Sequence, residues 1–463
     1  MPDSQPQGPE SSGAAHGPEG RGPTGGDGTG LLLGGARLAD GRRVDVRLAG
    51  PRIEAVGTVG SLSAAPGTTR VDLDGYLLLP APAEPHAHGA TALSAESAGP
   101  PGYERGDIQR RSTQAALLQL GHGATAVRSH VRIGDLEGLT AVEAVLQAGR
   151  ALRGFAELTV VPVPRVLTGT AGAEGLAMLR DAVKMGAAVV GGCPDADPDP
   201  GGHVEAVLAV AAEHGCGVDL HTDGDDPARL ARLAAAVGGL RPGVTIGPCG
   251  GLARLPVKVA LRAAERLAAA GVTVVCLPQG GCSDVEATQH GAQGPHGAHG
   301  GAHAAGVHAG GMPVRAIGSE RRSAAPVRLL QAAGVRVAAG SGALRDVANP
   351  VGRGDPLEAA YLLASREGLG PSEAYGAVST AARAVLGLPE VRVEAGFPAE
   401  LLAVRGRRLA GVLSLAYSRI VVHQGRVVAR TSAVREYCDS AAADALDLPR
   451  QGGWVRGPGW GKA

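Results

Sequence analysis

Two histidines, His86 and His88, close the segment LLLPAPAEPHAHG, where an apolar run ends and prolines turn the backbone. On an extended chain, residues i and i+2 project to the same side. Two neutral imidazoles side by side at a strand end are ligands for a divalent metal, and a complete site needs further groups from elsewhere in the chain. Other signatures of chemistry fail. GRGDPLEAA lacks the Gly-Lys-Ser/Thr of a phosphate loop, and no Gly-x-Ser-x-Gly elbow occurs. Cysteines 193, 216, 249, 276, 282 and 438 are scattered without a close zinc-type pair, which reads as reduced thiols in a cytoplasmic chain.

The histidines need a frame. From ATAVRSHV onward, short apolar runs alternate with Ala/Leu-rich helical stretches: LTVVPVP, AAVVGGCP, GVDLHTD, GVTIGPC, VTVVCLP and VRVAAGS. Apolar runs of this length between helices read as buried parallel strands. Eight such units over roughly 300 residues predict an α/β chain with a (β/α)8 TIM-type barrel, whose chemistry sits at the C-terminal strand ends. His86, His88, His130, His221, Cys249 and Ser341 fall at those ends. Aromatics are only 2% of the chain, so the core must be built from Ala, Val and Leu.

Strand-rich patches flank the barrel segment on both sides: LLLGGARL to YLLLP, then AELLAVRG to RIVVHQGRVVA. The expected organisation is a Gly/Pro-rich disordered tail at 1–29, a composite β-sandwich domain from 30–80 and 390–432, a barrel at 81–389 and a tail at 433–463. Residues 288–311 hold five histidines in Gly/Ala-rich sequence and read as a flexible insertion loop. The 44 basic and 44 acidic residues cancel, which argues against nucleic acid or an anionic membrane as partner. No apolar run is long enough for a membrane helix, and the N-terminal segment does not read as a signal peptide.

The motifs EPHAH (84–88), AVRSHVRIGD (126–135), GAAVVGGCP (186–194), VDLHTDGDDP (218–227) and AAGVRVAAGSGALRDVANPVGRGDPLEAA (332–360), in that order, resemble the amidohydrolase superfamily and its cytosine deaminase-like branch. The resemblance spans about residues 30–430. It implies a distorted barrel flanked by a composite β-sandwich, and a reaction in which metal-activated water attacks an amidine-type carbon of a heterocycle and ammonia leaves. It also implies one metal, zinc or iron, held by two first-strand histidines, a fifth-strand histidine and an eighth-strand aspartate. The first three carry over as His86, His88 and His221. The water-orienting histidine of the sixth strand is replaced by Pro248, followed by Cys249, and the eighth-strand aspartate by Gly342. Gly224 stands where the proton-shuttling glutamate belongs, and Arg165 where a glutamine contacts substrate. His130, at the end of the second strand, is expected to line the pocket.

General acid–base catalysis contributes roughly 10²–10⁴-fold, so these replacements predict a weakly active or non-catalytic member that holds its metal loosely. The alternative is an active C–N hydrolase using His86, His88 and His221 with a relocated carboxylate, for which Asp223 is the candidate. Asp225-Asp226-Pro227 reads as a helix N-cap. Arg165 and His130 are the expected ligand contacts. The fixed charge of Arg165 favours a small heterocyclic or anionic ligand, and the family's habit suggests a homo-oligomer.

Overall fold

The computed structural model describes residues 30–96, 102–134, 138–240, 243–280, 324–415 and 418–433. The expected tail at 1–29, the insertion at 288–311, Cys282 and nearly all of the tail at 433–463 lie outside the described residues.

The two strand-rich ends share one eight-stranded sheet. Strands β1 (Leu31–Arg37), β2 (Arg43–Ala49) and β3 (Arg52–Thr58) form an antiparallel meander, and β4 (Thr69–Asp72) pairs with β1. The ends are joined where β5 (Tyr76–Pro80) pairs antiparallel with β14 (Leu401–Arg405), Leu78 opposite Ala403. Strands β15 (Arg419–His423) and β16 (Arg426–Thr431) complete it. The sheet encloses its own core, which includes Leu33, Val46, Ile53, Leu73, Leu401 and Val422.

Between these ends run eight parallel strands in barrel order. They are β6 (Glu84–Ala87), β7 (Ala126–Ile133), β8 (Glu157–Pro164), β9 (Val189–Gly192), β10 (Gly217–Thr222), β11 (Val244–Pro248), β12 (Thr273–Cys276) and β13 (Arg336–Ala339). The backbone ladder forms two arcs, β6-β7-β8 and β9 through β13, so the expected barrel is not closed by continuous strand pairing. Pro162 and Pro164 remove two ladder donors from β8. Between β8 and β9 the Cys193 N–H still reaches the Pro164 carbonyl at 3.3 Å. The backbones come so close there that a Cβ on Gly191 would stand 2.6 Å from Val161 Cγ1. At the other seam a single bridge joins Ala87 to Gly342, and Ser341 N–H donates to the Glu84 carboxylate.

The helices pack by apolar stripes. In the helix Pro227–Val237 the buried residues are Leu230, Leu233, Ala234 and Val237, one face at helical spacing. Asp226 caps its first turn by accepting from the Ala228 and Arg229 N–H groups, and Pro227 takes the first helical position, where its missing N–H does no harm.

Barrel and sheet are tied by Asp355, the N-cap of the helix Pro356–Arg366. Its carboxylate accepts from Leu357 N–H at 2.9 Å and from both Arg419 terminal nitrogens, at 2.8 and 2.6 Å. Burial pushes this carboxyl up, and the Arg419 guanidinium outweighs that and holds it below its usual value. Asp355→Ala should lower the unfolding free energy by about 3–5 kcal/mol, because it leaves a buried guanidinium without its carboxylate and removes a cap. Asp355→Asn, which keeps the cap, should lose less. Denaturant titration of both variants measures the difference, and equal losses would show that the charge carries the effect and the cap adds nothing measurable.

Candidate metal centre

Three barrel strands carry the same short pattern, a charged residue two positions before a histidine. The pairs are Glu84 and His86 on β6, Arg128 and His130 on β7, and Asp219 and His221 on β10. Residues i and i+2 face the same side of a strand, so each pair points into the barrel and builds two stacked layers. All six side chains are buried.

The upper layer is imidazole. Ring centroids lie 4.1 Å apart for His86 and His130, 4.6 Å for His86 and His221, and 4.6 Å for His130 and His221. One nitrogen from each ring lies within 4.8 Å of the others. His88 sits one pleat further out, with centroids 5.1, 6.0 and 5.7 Å from His86, His130 and His221. Burial, then the charge of neighbouring imidazoles, drives His86 well below its ordinary value. Burial pulls His130 down to about 4 although Asp219 works against it. Both rings are therefore neutral near pH 7, with lone pairs available. His130 Nδ1 has no hydrogen-bond partner among the described residues. Three converging imidazoles with an orphaned nitrogen among them fit a divalent ion of zinc type.

The lower layer is charged. Arg128 Nη1 donates to Asp219 Oδ2 at 2.9 Å, and the same oxygen lies 3.3 Å from His130 Nε2. Burial raises the Asp219 carboxyl, but His130, Arg128 and His221 outweigh it and bring it to about 2. Glu84 behaves oppositely. It accepts from the Ser341 N–H and hydroxyl and from the His86 N–H, yet burial pushes it up to about 7. A Cβ on Gly340 would stand 2.4 Å from Glu84 Oε1, so only glycine admits this carboxyl at the β13 end.

Gly342, at φ 69°, bridges to Ala87 and brings no carboxylate. Pro248 ends β11 half-buried. Cys249 is buried in a left-handed conformation, and its thiol is raised well above its ordinary value by burial and then by the charges of Asp195 and Asp223. Gly224 lies at φ 72°, where a side chain would be strained. Asp223 accepts from Gly251 N–H at 2.9 Å and pairs with Arg254, so its carboxylate secures the turn Gly250–Arg254. Arg165 follows β8, half-buried. Sequence reasoning did not single out Glu84, Arg128 or Asp219. The signal was available as the repeated spacing in EPH, RSH and DLH.

Proton linkage follows from these shifts. Between pH 6.5 and about 4.5 the unfolded chain protonates His86 and His130 while the folded chain does not, so acid destabilises the metal-free protein. Over the same window folded Glu84 keeps a proton that the unfolded chain has lost, which opposes the trend. Glu84→Gln removes the opposition and should steepen the acid loss by about 1.4 kcal/mol per pH unit. Denaturant midpoints of metal-free protein across pH 4.5–6.5 test this, and parallel profiles for the two proteins would refute it.

The fold and site can be set beside known proteins. A pterin deaminase of Rhizobium rhizogenes is 25% identical over 343 residues, 71% of either chain. The structure of N-isopropylammelide isopropylaminohydrolase from Burkholderia multivorans superposes with a TM-score of 0.70 at 24% identity, covering 88% of this chain and 100% of that one. That of 5-methylcytosine deaminase from Klebsiella pneumoniae gives a TM-score of 0.68 at 18% identity, covering 89% and 100%. These structural likenesses establish the barrel-plus-sheet architecture. Residues 104–429, most of the barrel and the returning strands of the sheet, match the model of the Amidohydrolase family, and the chain belongs to that family.

Proposed function

We propose that this protein hydrolyses a C–N bond in a small nitrogen heterocycle, slowly, with one divalent ion, zinc or iron, held by His86, His130 and His221. The observation that carries the reading is the convergence of these three buried imidazoles inside the barrel. The similar proteins support the reaction class, being named as deaminases of pterin and 5-methylcytosine and as an isopropylaminohydrolase.

A divalent ion on such ligands supplies Lewis acidity and brings the pKa of a bound water toward neutrality. The chain's own residues do the rest. Asp219, fixed by Arg128, braces His130 from below. Glu84, poised at about 7, holds or yields a proton near neutrality beneath His86. His88 lines the mouth above the cluster, and Arg165 offers a positive charge beyond β8 to an anionic or polarised ring. Neither Gly224 nor Gly342 can carry a proton, and general acid–base assistance is worth roughly 10²–10⁴-fold. Slow turnover follows. A second reading, a non-catalytic member that binds a heterocycle, is favoured by one observation: Asp223 is engaged with Gly251 and Arg254.

Two outcomes are expected. First, elemental analysis should find about one zinc or iron per chain, and His86→Ala, His130→Ala or His221→Ala should weaken metal binding at least tenfold (about 1.4 kcal/mol), while His88→Ala weakens it less. Equal loss with His88→Ala, and none with His130→Ala, would move the ion outward to the His88 layer. Second, an ammonia-release screen over pyrimidines, triazines and pterins should show slow, chelator-sensitive turnover. Gly342→Asp restores a carboxylate at a backbone angle that Asp tolerates, and it should raise turnover by about 10- to 100-fold. Stoichiometric metal with no ammonia from any ring, in either protein, would favour the binding reading.

A further inference from the structure

Among the described residues, the opposite mouth of the barrel is not filled. A cavity of about 460 Å³ opens among the N-terminal ends of β9 through β13 and the helix Thr380–Val385. That size suits a small organic ligand. Four of the strand starts that border it are small, Val189 on β9, Gly217 on β10, Val244 on β11 and Thr273 on β12, and the fifth is Arg336 on β13. In a chain so poor in aromatics, no aromatic side chain among the described residues lines the floor layer.

The lining is chemically one-sided. Arg128 reaches the cavity from β7 with its side chain 94% buried, since its exposure is 6%. Its guanidinium gives one N–H to Asp219 and another to the Val385 carbonyl at 2.7 Å, and its Nε has no acceptor among the described residues. A guanidinium has five N–H donors, so capacity is left over. Arg336 adds a second positive charge at the exposed rim. Among the described residues no carboxylate lines the cavity, and Val218, Val244 and Val337 give it apolar walls.

We propose that this cavity binds a small organic carboxylate, its charged head toward Arg128 and its apolar body against the valines. The site is distinct from the histidine cluster, because it opens at the other end of the same strands. A flat carboxylate matches the planar guanidinium, and low-dielectric walls strengthen the attraction.

Benzoate and its neutral analogue benzamide probe the site directly, by calorimetry on the full, metal-depleted chain. Benzoate should bind at least about tenfold more tightly than benzamide. Ala384→Trp, an exposed rim change that narrows the cavity, and Arg336→Ala, which removes rim charge, should each weaken benzoate with unchanged thermal midpoints. His86→Ala, at the far end, should leave it intact. Equal affinity for the two probes, no benzoate binding at millimolar concentration, or loss in His86→Ala but not in Ala384→Trp would each overturn the proposal.

Discussion

The contact between Arg128 and Asp219 decides the character of the barrel interior. Two ions with exposures of 6% and 1% have left water, at a cost of several kcal/mol each, and their attraction offsets that cost only because the geometry is close. The pair is thus weak evidence for stability and better evidence for placement. Asp219 stays ionised beneath the imidazole layer, and its Oδ2 lies beside His130 Nε2. His130, Arg128 and His221 together hold it ionised against its burial.

The charges of the lower layer nearly cancel: Arg128 against Asp219, with Glu84 close to half-protonated near pH 7. The three imidazoles above them offer no negative charge to a dication. Glu84 is the member of that layer able to supply it, since a nearby positive charge favours the ionised carboxyl. The same residue closes the fold. Where the ladder between β13 and β6 is broken, the Glu84 carboxyl spans the gap to Ser341, and Gly340 makes the room. One side chain thus serves barrel closure and electrostatics at once.

Much of the architecture was legible because parallel strands and amphipathic helices impose different periods, and because the His86 and His221 motifs lie at the ends of β6 and β10, whereas His130, expected at a strand end, stands in the middle of β7. The gaps in the ladder were not, because they depend on what approaches across each seam, the Pro162 carbonyl at Gly191 and the Glu84 carboxyl at Gly340. The histidine set shows the same limit. Spacing i, i+2 places His86 and His88 on one side, as expected, but one pleat repeat is about 6.8 Å while neighbouring strands lie about 4.8 Å apart. Lateral pairing therefore brings His130 on β7 nearer to His86 than His88, at 4.1 against 5.1 Å. No count along one strand can reveal which strand lies beside it.

The loops above the cluster bear on how far catalysis can go. In TDGDDP the backbone turns through a left-handed Gly224, and Asp223 accepts two bonds from its surroundings, one of them from Arg254. Asp226 is spent on a helix cap. Each acid in this stretch whose bonds are defined holds the chain in place, so moving one toward the histidines would open the loop that positions it. The imidazoles stand on strands, whose pleat fixes them at no such cost. The histidine layer and the loop carboxylates are therefore held by different parts of the fold.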